Sequence, residues 1–326
     1  TIPMVGGGLR IVANLKAARA LYKVMIREKY DIVHCWSSIA GFVGRLAADW
    51  AGVPLTIYSP EGFAFNEFIN PWKRQMYILA ERILGNFTDV LITCSETEWQ
   101  QALEARVVTP GKLLLIENPL DTMSYDIRTI DTVAKRRELD LPDEAPIVGM
   151  VARLTAQKGP GFFVEAAARI FREMPQTHFV LVGDGELKTE IEALSTELGL
   201  DGSMHFLGNR DDYMTIIATF DVFVLSSLWE GMPYAPLEAM LLRRPIVATS
   251  NTGSQDLIKK DRTGVLVPPR DSLALARAVL ELLREPARAA RMGQRAEASV
   301  RQRFGIETAM DRIAQLYRDV SEITWQ

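Results

Sequence analysis

Short apolar runs alternate with amphipathic stretches along the whole chain, which is the pattern of parallel strands joined by crossover helices. In the first part, strands are predicted at 31–36, 54–59, 89–95 and 113–117, and helices near 11–29, 39–51, 71–84 and 96–105. The first apolar strand begins only at Asp31. We therefore expect this domain to lack the opening strands of a complete Rossmann-like domain.

The second part of the chain repeats the pattern of strand and helix six times, as expected for a complete doubly wound domain. Strands are predicted at 146–152, 178–183, 204–208, 222–227, 245–249 and 264–268, and helices near 159–173, 186–198, 211–218, 234–242, 253–259 and 271–283. A polar stretch separates the two parts, and residues 287–326 have a helical pattern. We predict an α/β protein with Rossmann-like domains at 1–121 and 122–304 and a final helix at 305–326.

Composition and charge narrow the classes of function. The 326 residues are 48% hydrophobic and 24% charged, and a formal net charge of -4 gives no basic surface for a nucleic acid. Cys35 and Cys94 lie in apolar, strand-like runs and are interpreted as buried thiols in a reducing compartment. No apolar run approaches the ~18 residues of a membrane-spanning helix. Gly6, Gly7 and Gly8 follow no strand, so a flexible segment is a better interpretation than a phosphate loop.

The stretch 226–240 carries the most informative chemistry. Glu230 lies at the carboxyl end of a predicted strand, and Glu238 lies one turn into the helix that begins near Tyr234. Ligands of open α/β sheets bind at that edge, where the free N–H groups of a helix start suit a diphosphate. Gly231 allows a close backbone approach, and Glu238 can accept the hydroxyls of a ribose. Taken alone, Glu238 is explained equally well as a solvated carboxylate that stabilises the helix dipole.

Two further loops follow other strands of the same predicted sheet. Arg153 and Lys158 come from a loop that opens a helix, and two cations there suit the growing charge of a leaving diphosphate. Gly183 and Gly185 form a second loop, which a tight turn alone could explain. Each cation alone is explained as a surface residue. The convergence of all three loops at one sheet edge is what favours a ligand site.

These motifs resemble family 4 of the retaining glycosyltransferases, which have the two-domain GT-B fold. Glu230 and Glu238, with seven residues between them, match its E-x7-E signature, including the EG and PLEAM residues around it. ARLTAQKG, LVGDGELK, FLGNRDD and TGVLVPPRD are similar to further elements of its second domain, and DIVHCWSSIAGFVGRLAADWAGVP to a run of its first. The resemblance covers nearly the whole chain. It implies two Rossmann-like domains that face each other across a cleft, with the final helix crossing back to the first.

The resemblance also implies roles for these residues. The catalytic residues that it implies are Arg153 and Lys158, which would hold the donor diphosphate, and Glu230, which would hold the transferred sugar. Glu238 would bind the ribose of the donor. The other donor-binding residues that it implies are Gly231, Met232, Pro233, Tyr234, Ala235, Gly183, Gly185, Asn209, Arg210 and Glu61. Such enzymes use a nucleoside-diphosphate sugar and need neither metal nor cofactor. The expected acceptor is a bacterial polysaccharide or a lipid-linked saccharide, and the expected location is the cytoplasm, including the inner face of the plasma membrane.

Two positions depart from the family. Glu61 stands where a histidine usually contacts the donor sugar, and Trp36 stands where a second histidine is common. A catalytically weak sugar-nucleotide-binding protein is therefore the alternative. A nicotinamide-dependent oxidoreductase is disfavoured, because no G-x-G-x-x-G opens a helix after a strand. His34, His178 and His205 are interpreted as structural, and no Cys/His cluster has metal-ligand spacing.

The segment 65–84 leaves two interpretations open. Asn70 and Pro71 predict a helix start, after which an apolar stripe follows at helical spacing. The stripe consists of Phe68, Trp72, Met76, Leu79 and Ile83. Core packing is the favoured interpretation of such a stripe. The alternative is a membrane-surface helix, because Lys73 and Arg74 adjoin Trp72 where an interface would lie.

Overall fold

The computed structural model describes residues 11–65 and 69–324 and divides the chain into two units. The first unit runs to Asn118 and resumes at Glu307, and the second is Pro119–Ile306. The divisions predicted from the sequence lie after residues 121 and 304. Gly6, Gly7, Gly8 and Phe68 lie outside the described residues.

The first unit is an α/β layer structure whose elements lie within a few residues of the predicted ones. Its described elements are α1 (Ile11–Glu28), β1 (Ile32–Trp36), α2 (Ser38–Ala51), β2 (Leu55–Ser59), α3 (Pro71–Gly85), β3 (Val90–Thr93), α4 (Glu96–Glu104), β4 (Leu113–Leu115) and α13 (Ile306–Thr324). The strands pair in the order β1-β2-β3-β4, all parallel. In the described part of the sheet, β1 and β4 are therefore the edges.

Helices cover both faces of this sheet. Leu55 and Ile57 of β2 cluster with Ala309 and Leu316 of α13 on one face. Tyr58, the neighbour of Ile57, points to the other face and packs with residues of α3 and α4. This alternation follows from the period of two along a strand. The final helix of the chain thereby becomes part of the core of the first unit.

Helix α3 turns its apolar stripe towards solvent, so the interpretation of this stripe as core packing is wrong for its described members. The exposed fractions are 70% for Trp72, 39% for Met76, 57% for Leu79 and 52% for Ile83. The helix itself begins as predicted, because the Asn70 side chain accepts a hydrogen bond from the backbone N–H of Trp72. We call these four exposed residues the α3 stripe.

A buried ion pair explains why α3 presents this face. Arg45 of α2 is fully buried and donates to a carboxylate oxygen of Glu81 at 2.8 Å. Its guanidinium lies 3.7 Å from the centre of the Tyr58 ring, and the Tyr58 hydroxyl donates to Glu81 at 3.1 Å. A Cβ on Gly85 would lie only 1.8 Å from the backbone carbonyl oxygen of Val107. The polar pair and the small residue fix which side of α3 faces inward, and the apolar stripe is left outside.

The second unit is a doubly wound α/β domain. Its elements are α5 (Thr132–Glu138), β5 (Ile147–Val151), α6 (Pro160–Glu173), β6 (His178–Val182), α7 (Lys188–Glu197), β7 (Met204–Gly208), α8 (Tyr213–Ile217), β8 (Val222–Leu225), α9 (Tyr234–Leu241), β9 (Ile246–Thr249), α10 (Thr252–Leu257), β10 (Val265–Val267), α11 (Ser272–Arg284) and α12 (Pro286–Arg303). The sheet order is β10-β9-β8-β5-β6-β7, all parallel. The strand order therefore reverses between β5 and β8, which is where such domains bind ligands.

The two histidines of the second sheet and the lengths of the helices remain to be compared with the predictions. His178 and His205, near the starts of β6 and β7, share a hydrogen bond of 2.9 Å and lie away from the carboxyl edge of the sheet, in agreement with a structural role. Within residues 11–65 and 69–324, no helix is both long and apolar enough to cross a bilayer.

Candidate active site

The switch point between β5 and β8 holds a largely buried ion pair. Lys158 lies in the loop after β5, and Glu230 lies in the loop after β8. The Lys158 Nζ atom is 2.6 Å from one carboxylate oxygen of Glu230 and 2.8 Å from the other. The two side chains are 18% and 5% exposed. The structure therefore brings together two of the three residues predicted to be catalytic.

Hydrogen bonds join the two loops and place this pair. The Ser226 hydroxyl donates to the carbonyls of Lys158 and Gly159, at 3.1 Å and 2.9 Å. The Gln157 amide donates to the Trp229 carbonyl at 3.0 Å. Gly159 has a φ of 57°, and a Cβ on it would lie 2.6 Å from the Ser226 carbonyl oxygen. Glycine is thus needed there both for its backbone conformation and for the close approach of the two loops.

Arg153 lies at the start of the same β5 loop and differs from Lys158 in its surroundings. Its side chain is exposed and makes no hydrogen bond or ion pair with any residue that the structure describes. It lies at the carboxyl edge of the sheet, where β5 ends. An anionic ligand would meet one cation that already has a carboxylate partner and one that has none.

The glycine loop after β6 packs directly on the chain that leads to Arg153. Gly183 has a φ of 132°, and a Cβ on it would lie 1.9 Å from the carbonyl oxygen of Ala152. A Cβ on Gly185 would lie 2.5 Å from the carbonyl oxygen of Leu154. The two predicted glycines therefore support the Arg153 segment through close backbone contact, and the loops after β5, β6 and β8 meet at one edge.

Glu238 is held by Tyr213, a residue that was not predicted from the sequence. It lies on α9, is 8% exposed, and accepts a hydrogen bond of 2.7 Å from the Tyr213 hydroxyl. Burial raises the pKa of Glu238, and the hydrogen bond from Tyr213 acts in the opposite direction. Tyr213 begins α8, directly after the loop that follows β7. That position in the FLGNRDDYM run, at the carboxyl edge of the sheet, is the signal that could have identified it.

The loop between Glu230 and α9 is tightly packed. Its predicted donor-binding members are Gly231, Met232 and Pro233, which are buried, and Ala235 and Tyr234, which begin α9 with Tyr234 exposed. The backbone of α10 approaches this loop so closely that a Cβ on Gly253 would lie 2.2 Å from the Gly231 carbonyl oxygen. The loop is therefore packed closely against the start of α10.

Arg210 is engaged with carboxylates near the same edge. Its guanidinium donates to both oxygens of Asp212, at 2.7 Å and 2.8 Å, and to Glu138 at 2.9 Å. The hydrogen bond from Arg210 holds the pKa of Asp212 well below its usual range. Asn209 beside it is exposed. The contact of Asn209 and Arg210 with a donor stays a prediction.

In the first unit, two carboxylates meet at the carboxyl edge of the sheet. Glu61 follows β2 with a φ of 56°, and its carboxylate accepts a hydrogen bond of 3.0 Å from Asn118. The residue is exposed, yet its carboxyl group is enclosed enough that burial raises its pKa. Glu98, buried and not anticipated, accepts from the backbone N–H groups of Gly62 and Cys94, at 2.7 Å and 2.8 Å. Burial raises the pKa of Glu98, and the nearby Glu61 carboxylate adds to this.

His34 is a satisfied histidine at the same edge. Its ring nitrogens lie 2.8 Å from the Tyr317 hydroxyl and 2.9 Å from the Ser59 hydroxyl. The ring stacks on Trp36 at 3.6 Å, and burial lowers its pKa to about 4. These contacts agree with the structural role inferred from the sequence. Within 11–65 and 69–324, no group of three or more His, Cys, Asp or Glu residues could hold a metal ion.

Comparison with known proteins gives two family matches. Residues 131–299 match the model described as glycosyl transferases group 1, and residues 2–119 match the glycosyl transferase 4-like domain. The chain is 31% identical to a UDP-Gal:alpha-D-GlcNAc-diphosphoundecaprenol alpha-1,3-galactosyltransferase of Escherichia coli, over 98% of this chain and 83% of that protein. It is 28% identical to the putative glycosyltransferase EpsD of Bacillus subtilis, over 93% and 80%.

Two solved structures share the fold. Anabaena HepE, in complex with UDP and glucose, superposes with a TM-score of 0.84 at 24% identity, covering 96% of this chain and 83% of that one. The sucrose-phosphate synthase of Thermosynechococcus elongatus also gives a TM-score of 0.84 at 24% identity, covering 98% and 81%. The expected architecture of two parallel-sheet α/β domains is confirmed.

Proposed function

The chain belongs to the glycosyl transferases of group 1, and its first part is a glycosyl transferase 4-like domain. We propose that it moves a sugar from a nucleoside diphosphate to a hydroxyl acceptor with retention of configuration. One observation carries the proposal. Lys158, Glu230 and Glu238 lie in the loops and helix that follow the switch point of the second sheet, and Arg153 opens the same β5 loop. Two cations and two carboxylates at one edge suit the diphosphate and hydroxyls of a nucleotide sugar.

The cations supply the main catalytic effect. As the bond between the sugar C1 and the β-phosphate oxygen breaks, negative charge grows on that oxygen, and a fixed cation stabilises the transition state more than the bound donor. The acceptor oxygen bonds to C1 on the same face, and its proton passes to the leaving phosphate. This route needs no nucleophile from the protein and no metal ion.

The carboxylates bind hydroxyl groups. Glu238, oriented by Tyr213, accepts from the ribose, since a buried carboxylate with one fixed donor retains further acceptor sites. Glu230 contacts the transferred hexose together with the backbone of 231–235. In the first unit, Glu61 takes the place of the usual histidine, and its hydrogen bond from Asn118 fixes the direction of the carboxylate.

A binding and transfer experiment tests this function. Nucleotide sugars that differ in base and hexose are screened by thermal shift, where a ligand at a hundred times its Kd adds about 2.7 kcal/mol of stability. The best donor is then incubated with saccharide and polyprenyl-diphosphate-linked acceptors, and the coupling constant of the new anomeric proton reports configuration. Transfer with inversion would contradict the proposed mechanism. Donor binding without transfer or hydrolysis would instead support a sugar-nucleotide-binding protein.

We place the enzyme in the cytoplasm, at the inner face of the plasma membrane, with a lipid-linked saccharide as acceptor. The E. coli relative acts, by its name, on a diphosphoundecaprenol-linked sugar. A support from this chain itself is the α3 stripe. Its four residues fall within roughly 60° of arc and lie opposite the buried side of the helix.

The charges of α3 suit an anionic lipid surface. Lys73 and Arg82 are exposed and flank the α3 stripe on its two sides. The acidic residue of the helix, Glu81, is buried against Arg45. The exposed side of α3 therefore combines an aromatic and aliphatic stripe with positive charge, as interfacial helices do.

Vesicle co-sedimentation tests the membrane contact. The exchange W72S/L79S should lower the partition into phosphatidylglycerol-containing vesicles by about tenfold, because both side chains would lose burial in the interface. Both residues are exposed, so the fold should be kept. The matched control is W50S, since Trp50 is 45% exposed on α2, outside the stripe. Equal vesicle binding by W72S/L79S and W50S would contradict the membrane role of α3.

A further inference from the structure

We propose that Glu230 competes with the nucleoside diphosphate for Lys158 and so promotes release of this product. The inference rests on the proposed function and assigns Glu230 a role beyond contact with the sugar. In the structure, both oxygens of Glu230 accept hydrogen bonds from Lys158, at 2.6 Å and 2.8 Å. A lysine ammonium has three N–H donors, so this contact engages most of its capacity.

The surroundings make this contact strong. The Glu230 side chain is 5% exposed and that of Lys158 is 18% exposed, so solvent screens their attraction poorly. The Ser226 hydroxyl holds the Lys158 and Gly159 carbonyls, and the Gln157 amide holds the Trp229 carbonyl. Both partners thus come from loops that are joined to each other. A diphosphate that binds Lys158 must therefore weaken the two hydrogen bonds between Lys158 and Glu230, because Lys158 is not a free cation.

The competition differs before and after transfer. While the donor is bound, the hydroxyls of its hexose offer Glu230 other hydrogen-bond donors, and Lys158 can turn to the diphosphate. After transfer the hexose has left with the acceptor, and Lys158 is the side-chain partner that remains to Glu230 among the described residues. The nucleoside diphosphate then loses part of its cationic contact. Arg153 has no carboxylate partner among the described residues, so it does not share this competition.

Binding of UDP and GDP without any sugar separates this role from sugar contact. If Glu230 touched only the hexose, E230Q would leave the Kd of either nucleotide unchanged. Competition for Lys158 predicts that E230Q binds the nucleotide of the matching base about tenfold more tightly than the parent protein, by isothermal titration calorimetry. The gain should vanish when K158A/E230Q is compared with K158A. In turnover, E230Q should show stronger inhibition by the nucleoside diphosphate.

Two further variants keep the test decisive. E230D retains the charge but withdraws it by one methylene from Lys158, and it should also bind the nucleotide more tightly than the parent. E238Q is the matched control, because Glu238 pairs with Tyr213 and not with Lys158. Its effect should be weaker nucleotide binding that persists on the K158A background.

The outcomes are distinct. An unchanged or weaker nucleotide affinity of E230Q, or a gain that persists without Lys158, would overturn the competition while leaving the transferase function in place. A parent protein that binds no nucleoside diphosphate at all would overturn the proposed function itself. Circular dichroism melts of each variant confirm that the compared proteins are folded.

Discussion

Replacing Lys158 or Arg153 by alanine should give similar losses of activity but different losses of stability. Both changes remove a cation from the leaving diphosphate. K158A also leaves the carboxylate of Glu230, 5% exposed, without its ion-pair partner. Arg153 is exposed and unpaired among the described residues, so R153A leaves no buried charge behind.

The magnitudes follow from these surroundings. Loss of one group that stabilises the developing charge costs on the order of 3 kcal/mol, or about a hundredfold in kcat/KM, for either variant. Breaking a buried ion pair by removing one partner costs roughly 3–5 kcal/mol of unfolding free energy. Because the Lys158 side chain keeps some exposure, we expect the lower end of that range for K158A. For R153A we expect less than about 0.5 kcal/mol.

The assays are steady-state transfer over a range of donor concentrations and urea unfolding of the same preparations. The double variant K158A/E230Q is the internal control. It removes the unpaired charge, so it should recover most of the lost stability while kcat/KM stays low. Near parental kcat/KM in both single variants would show that these cations take no part in the chemistry. Equal unfolding free energies of K158A and R153A would refute the role of the ion pair.

Three further predictions concern single side chains. Y213F removes the 2.7 Å hydrogen bond to Glu238 and should raise the donor KM about tenfold with little change in kcat, because the ribose changes little during transfer. E238A should likewise raise the donor KM more than it lowers kcat. A larger fall in kcat than rise in KM, measured by steady-state kinetics, would contradict ribose binding. G183A places a Cβ 1.9 Å from the Ala152 carbonyl oxygen at a φ of 132°, so its thermal midpoint should fall clearly below that of the parent. Burial lowers the pKa of His34 from 6.5 to about 4. Between these two pH values, His34 binds a proton in the unfolded chain but not in the folded protein. The stabilisation of the folded state that is present above pH 6.5 is therefore lost as the pH falls towards 4. Between pH 7 and pH 5 this amounts to at most about 2 kcal/mol, and urea unfolding of H34N should show a correspondingly smaller drop.

The order of strands and helices could be predicted because it depends on local patterns of apolar and polar residues. Parallel strands covered on both faces are continuous apolar runs, and Val222–Leu225 is such a run with every residue buried. Caps are equally local, and Asn70 starts α3 where the sequence placed it. The predicted site residues of the second unit come from the same kind of pattern, since each follows a strand of the second sheet.

The partners of those residues could not be predicted, because they depend on tertiary contacts. Glu230 and Lys158 were expected to be separate ligands of the donor. Their ion pair depends on the hydrogen bonds of Ser226 and on the close approach of the two loops at Gly159. No local pattern in the sequence predicts these contacts. Periodicity showed the stripe of α3 but not its direction, because a buried pair of Arg45 and Glu81 occupies the side that apolar residues usually take.

The division of the chain has a consequence for the order in which the protein folds during synthesis. The second unit is continuous, whereas the first is completed only by residues from Glu307 onwards. At the usual rates of translation, roughly 10–40 s pass between the synthesis of Asn118 and that of Glu307. Throughout that interval Leu55, Ile57 and Ile92 lack the helix that covers them. The nascent first unit therefore exposes this apolar face while the second unit is synthesised. We expect a ribosome-associated chaperone to bind there.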